Sequence, residues 1–80
     1  MKIQLLLFGI ATELLGTSSL DFEVYQDTTI SSFKQQFVQA YPQLKNINSY
    51  AIAVNEEYAT DVTVLKENDV VAIIPPVSGG

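Results

Sequence analysis

The residues best placed to do chemistry close the chain: Pro75-Pro76-Val77-Ser78-Gly79-Gly80. Two successive prolines fix φ twice and provide no N–H. Such a stretch cannot continue a sheet ladder, and it favours an extended, polyproline-like arm. Val77 is an apolar anchor and Ser78 a small spacer. Gly79 and Gly80 have no Cβ, so they can pass through a channel too narrow for other residues. What they deliver is the main-chain carboxylate of Gly80. A partner holding ATP can activate that carboxylate as an acyl-adenylate, which sulfur or an amine then attacks. Residues 75–80 are therefore expected as a flexible tail, and residues 1–74 as the domain that carries it.

The side chains supply little chemistry beside it. The 80 residues include no Cys and no His. Thiol nucleophiles, disulfides, imidazole bases and the ligands most zinc sites use are thereby excluded, and no metal site is expected. Four lysines, no arginine and nine acids leave a net charge of −5. That is a poor match for a phosphate backbone, so no nucleic-acid partner is expected, and basic protein surfaces are favoured instead. Glu13, Asp61 and Asp69 are read as solvated charges or turn residues, not as acid–base catalysts.

A chain this short buries only about 60–65% of its unfolded surface, enough for one modest core and no deep interdomain cleft. No apolar stretch approaches the ~20 residues that span a membrane. The apolar run after Lys2 meets Glu13 with no small-x-small cleavage site, and it reads as a strand of the mature domain. No membrane partner and a cytoplasmic location are expected.

The elements that must position the tail follow from periodicity. Residues 3–8 form a β run ended by Gly9. Residues 11–15 make one or two helical turns closed by Gly16. Residues 20–25 alternate, with Leu20, Phe22 and Val24 on one face. Ile30, Phe33, Phe37 and Tyr41 recur at spacings of three and four, the stripe of an amphipathic helix over 29–41. Thr29 is its N-cap and Pro42 its stop. The aromatic stripe is taken as core, not as a binding box. Residues 43–49 read as a polar loop, 50–54 as a strand, 55–57 as a turn and 58–60 as a short edge strand. Residues 65–69 form a charged link. The β-branched run 70–74 predicts a central strand covered on both faces. These pieces pack most economically as an α+β, β-grasp (ubiquitin-like) fold, a mixed sheet of four to five strands clasping one long helix.

Parity along the first strand adds a surface. Ile3, Leu5 and Leu7 share the core face; Lys2, Gln4, Leu6 and Phe8 share the other. Phe8, at the rim beside Gly9, is expected as a contact residue. Tyr58, after the turn, and Ile74, leading into the tail, are the other candidates for a partner interface. Their alternatives are an ordinary edge aromatic and simple burial.

With these residues in view, the chain resembles the small, sulfur-carrier subunit of molybdopterin synthase, a ubiquitin-like family. The resemblance runs over essentially the whole length. It is carried by Phe8-Gly9-Ile10-Ala11-Thr12-Glu13-Leu14-Leu15-Gly16, Ala53-Val54-Asn55, Leu65-Lys66-Glu67-Asn68-Asp69-Val70-Val71 and, most specifically, the tail Pro75–Gly80. It implies that Gly80 is adenylated by an activating enzyme, becomes a thiocarboxylate, and gives sulfur to a cyclic pyranopterin precursor inside the large subunit. No cofactor belongs to this chain; ATP is used by the activating partner, and the chain is not a catalyst alone. The resemblance also implies two small and two large subunits, and apolar contacts at Phe8, Tyr58 and Ile74. Thr12 stands where the family often has Arg, Asn68 where it often has Gly, and Tyr58 where an aliphatic is commoner. The alternatives are a sulfur carrier for thiamine or another pathway, a protein modifier that forms isopeptide bonds through Gly80, and a plain binding module.

Overall fold

A computed structural model describes residues 1–46 and 50–75. In chain order these form β1 (Lys2–Leu7), α1 (Ile10–Leu15), β2 (Ser19–Glu23), α2 (Ile30–Ala40), a 3₁₀ turn (Pro42–Asn46), β3 (Ala51–Val54), β4 (Glu57–Tyr58) and β5 (Val70–Ile74). Among the described residues the strands make one five-stranded sheet in the order β2-β1-β5-β3-β4. The pair β1–β5 is parallel; β1–β2, β3–β5 and β3–β4 are antiparallel. The sheet is thus mixed and the fold is the expected β-grasp.

α2 forms where the spacing predicts it. Thr29 has extended backbone and its Oγ1 accepts the Ser32 N–H at 3.2 Å, satisfying a donor the first turn leaves free. The helix stops at Ala40, two residues before Pro42. Its Phe33 and Phe37 are fully buried and stack at 5.3 Å between centroids, and Phe22 of β2 meets both edge-on at 5.8 and 5.7 Å. Such aromatic pairs add about 0.5–1.5 kcal/mol beyond the area they bury. The stripe is core, as its spacing suggests.

Three readings change. Residues 43–46 are not open loop: with Pro42 they turn in a 3₁₀ helix that puts Leu44 in the core, while 47–49 lie outside the described residues. The edge strand is Glu57–Tyr58, beginning one residue early because Asn55 and Glu56 alone make the turn. β5 is central in order, between β1 and β3, but only one of its faces is covered. Val71 and Ile73 are fully buried against the helix side; Val70, Ala72 and Ile74 are half-buried. Among the described residues the one long helix roofs one face of the sheet, and none covers the opposite face.

Candidate functional site: the open face beside the chain exit

Register places the residues of the open face. Leu6 pairs with Ala72 and Leu7 with Ile73 across the parallel β1–β5 ladder, so both strands finish at the same end of the sheet. Ala53 of β3 lies opposite Ala72 on one side and Tyr58 of β4 on the other. Leu6, Phe8, Ala53, Tyr58, Ala72 and Ile74 therefore share one side, and with Glu56 they line a shallow concavity of about 330 Å³. Small side chains on the central strands and large ones around them shape it. Ala53 and Ala72 form the floor, and Phe8 (48% exposed) and Tyr58 (77%) the walls. The other end of the same face is polar. There Lys2 faces Glu23, and Gln4 faces Asp21.

The structure thus brings Phe8, Tyr58 and Ile74 together, although they lie fifty and sixteen residues apart in the chain. Phe8 and Tyr58 are exposed; Ile74 is half-buried. Leu6 and Ala72 complete the surface, and sequence parity reached only Leu6. Ala72 is silent in a sequence, because its role is to be small beneath larger neighbours.

Backbone geometry directs the exit. Phe8 C=O accepts the Ala11 N–H at 3.1 Å, across a turn in which Gly9 has φ 55 and ψ −132. That combination is open to glycine and costly for residues with a Cβ. Gly9 also faces Pro75: a Cβ built there would stand 3.8 Å from the Pro75 ring. Pro75 is half-buried at the end of β5. Thr12, in the position where the resembled family often has Arg, does local work: its Oγ1 donates to Leu7 C=O at 2.8 Å. Pro76, Val77, Ser78, Gly79 and Gly80 lie outside the described residues.

The β3–β4 turn that carries Tyr58 is fastened to β5. Asn55 Nδ2 donates to Asp69 Oδ1 at 2.9 Å, Asn55 Oδ1 accepts the Val70 N–H at 3.0 Å, and the Asn55 N–H donates to Val70 C=O at 2.8 Å. Asp69 Oδ2 in turn accepts the Lys66 N–H at 2.7 Å. Asn55 and Glu56 both hold positive φ, 50 and 73, the pattern of a two-residue type I′ hairpin. Asn suits this region, but for Glu it costs roughly 1–2 kcal/mol. Asn68 takes φ 68 in the link before β5, the left-handed geometry its type allows. Asp61 pairs with Lys34 at 3.2 Å on the surface, and Asp69 is a turn acceptor, so neither is set up for proton transfer.

No candidate metal cluster of acids occurs among the described residues, and no helix there is long and apolar enough to cross a membrane. Among the described residues, what the geometry offers is an apolar concavity beside the point where the chain leaves the sheet.

A β-grasp domain with an apolar open face beside its exit strand belongs to the ubiquitin-like class of proteins. Within that class, residues 5–80 match the model of the ThiS family. The chain is 37% identical over 81 residues to the molybdopterin synthase sulfur carrier subunit of Arabidopsis thaliana, covering all of this chain and 84% of that protein. Its structure superposes on SAMP1 from Haloferax volcanii with a TM-score of 0.86, at 25% identity and full coverage of both chains. It also superposes on a chain in the complex of subunits 1 and 2 of molybdopterin-converting factor from Helicobacter pylori 26695, with a TM-score of 0.70, 24% identity and full coverage of both. The chain belongs to the ThiS family, on the side of its molybdopterin synthase sulfur carrier subunits.

Proposed function

We propose that the protein is the sulfur carrier of molybdopterin synthesis, with Gly80 as the atom-transfer site. The observation that carries this reading is the family match, which runs through the terminal diglycine, together with 37% identity over the whole chain to a molybdopterin synthase sulfur carrier subunit. The Gly80 carboxylate attacks the α-phosphorus of ATP held by an activating enzyme, and pyrophosphate leaves. A sulfide-level sulfur then displaces AMP, converting the carboxylate into a thiocarboxylate. Inside the large synthase subunit that sulfur passes to a cyclic pyranopterin precursor. This chain holds no cofactor in the cycle.

The body acts as a handle. The concavity formed by Leu6, Phe8, Tyr58, Ala72 and Ile74 docks on each partner, and Pro75, Pro76, Val77 and Ser78 carry Gly79-Gly80 into the partner's active site. Two enzymes can use one tail because neither needs a catalytic side chain from this protein. The acidic body assists encounter with basic partner surfaces, an effect that weakens as salt rises.

The test is intact-mass analysis after incubation with the cognate activating enzyme, ATP and a sulfur donor. The expected product is heavier by one sulfur-for-oxygen exchange, and it does not form when Gly80 is deleted. An unchanged mass, or an exchange that survives the deletion, overturns the proposal. A second reading, protein modification through Gly80, is favoured by the likeness to SAMP1, a small archaeal modifier protein. Branched peptides carrying Gly79-Gly80 on target lysines are its signature in digests of whole cells.

A further inference from the structure

We infer that Glu56 is a specificity-determining residue of the docking surface: its carboxylate receives a lysine or arginine of the large synthase subunit. Its place sets Glu56 apart from the other acids, several of which are likewise unpaired. It lines the otherwise apolar concavity with Phe8, Tyr58 and Ile74. It also has no ion pair and no side-chain hydrogen bond among the described residues, where the one ion pair joins Lys34 to Asp61.

Its place is imposed. Asn55 bonds to both Asp69 and Val70, so the turn is locked to β5 and Glu56 cannot relax out of its positive φ. Glycine is the residue that this turn position prefers. A glutamate held there, facing an apolar surface and unpaired among the described residues, has its natural complement on the molecule that covers the surface. The complement of a carboxylate is a cation, and the chain's net charge of −5 favours the approach of a basic surface. Covering the concavity removes water from the carboxylate, so a partner without a cation there is rejected, because a desolvated charge left unpaired is costly.

The inference rests on the reading of the concavity as the large-subunit interface, and the experiment separates the two. Affinity for the large subunit is measured by titration at low and high salt for the wild type, Glu56→Gln, Glu56→Gly, Glu56→Lys and Phe8→Asp, with a melting temperature for each. Glu56→Gln is expected to weaken binding about tenfold at low salt, and Glu56→Lys about a hundredfold. The gap between Glu56→Gln and wild type closes at high salt. Glu56→Gly is expected to melt about 4 °C or more higher, by relieving the backbone, while binding more weakly. A purely structural role cannot move stability and affinity in opposite directions.

Wild-type affinity in Glu56→Gln and Glu56→Gly, with Phe8→Asp unable to bind, overturns the role of Glu56 and leaves the interface standing. Normal binding by Phe8→Asp overturns both. A Glu56→Gln that melts lower and loses affinity in proportion makes Glu56 a structural residue and also overturns the inference.

Discussion

Leu5 and Leu6 are adjacent, identical in chemistry and part of the same strand, yet they belong to different halves of the protein's work. Leu5 is fully buried beneath α2 with Ile3, Leu7, Phe33 and Phe37. Leu6 points to the open face, where it lines a concavity with Phe8, Tyr58 and Ile74. The pleat turns successive side chains to opposite faces, so one strand serves the core on one side and, in the proposed function, recognition on the other. The open face is itself divided. Its end beside the chain exit is apolar, and its far end pairs Lys2 with Glu23 and Gln4 with Asp21. An apolar patch confined to the exit end favours contact there while the rest of the face stays wetted.

The comparison breaks most visibly when large side chains are removed from each face. Phe33→Ala leaves a void within the aromatic cluster and should cost about 3–5 kcal/mol, much of a small domain's stability. Phe8→Asp should leave the denaturant midpoint near that of the wild type, while binding of the large subunit is lost. An unfolded Phe8→Asp protein would make Phe8 part of the core and erase the contrast. The paired leucines sharpen it at finer scale. Leu5→Ala should cost about 2–5 kcal/mol in chemical denaturation, and Leu6→Ala about 1 kcal/mol or less. Equal losses would mean that the open face contributes to the fold as much as the covered one.

Two smaller effects test the covered side alone. Thr29→Ala removes the cap of α2 and should cost about 1 kcal/mol in denaturant unfolding, with large-subunit affinity unchanged. The smallest effect concerns pH. Burial pushes the Tyr50 phenol above its ordinary value of 10.0, so the fold favours the neutral form. Its contribution is intact below pH about 10 and is lost as pH rises through the raised value, because the unfolded chain releases the proton first. Stability measured across alkaline pH should fall less steeply in Tyr50→Phe than in the wild type.

Much of this was legible in the residues themselves. The stripe Ile30, Phe33, Phe37 and Tyr41 specified α2, because a helix turns every 3.6 residues and must bury one side. Thr29 and Gly16 marked a start and a stop for similar local reasons. Parity in β1 separated Leu5 from Leu6 before any packing was known. Residues 43–46 read as loop for a physical reason: Leu44 is a lone apolar residue among polar neighbours, without periodicity to mark its burial. The two-sided burial expected of β5 failed because an apolar β-branched run looks alike whether its second face is covered or left open.

The sequence alone determined the types of the main elements, the core stripe, the lack of Cys and His, and the diglycine that carries the proposed chemistry. Those properties are local: each depends on residue type and on spacing within a few positions. Only the tertiary structure decided that Phe8, Tyr58 and Ile74 meet on one concave surface, that Ala53 and Ala72 floor it, and that Asn55 ties the turn to β5. Strand order and register set these neighbours, and they join residues far apart in the chain. The same register held Glu56 against an apolar surface with no partner among the described residues, a placement no local pattern contains.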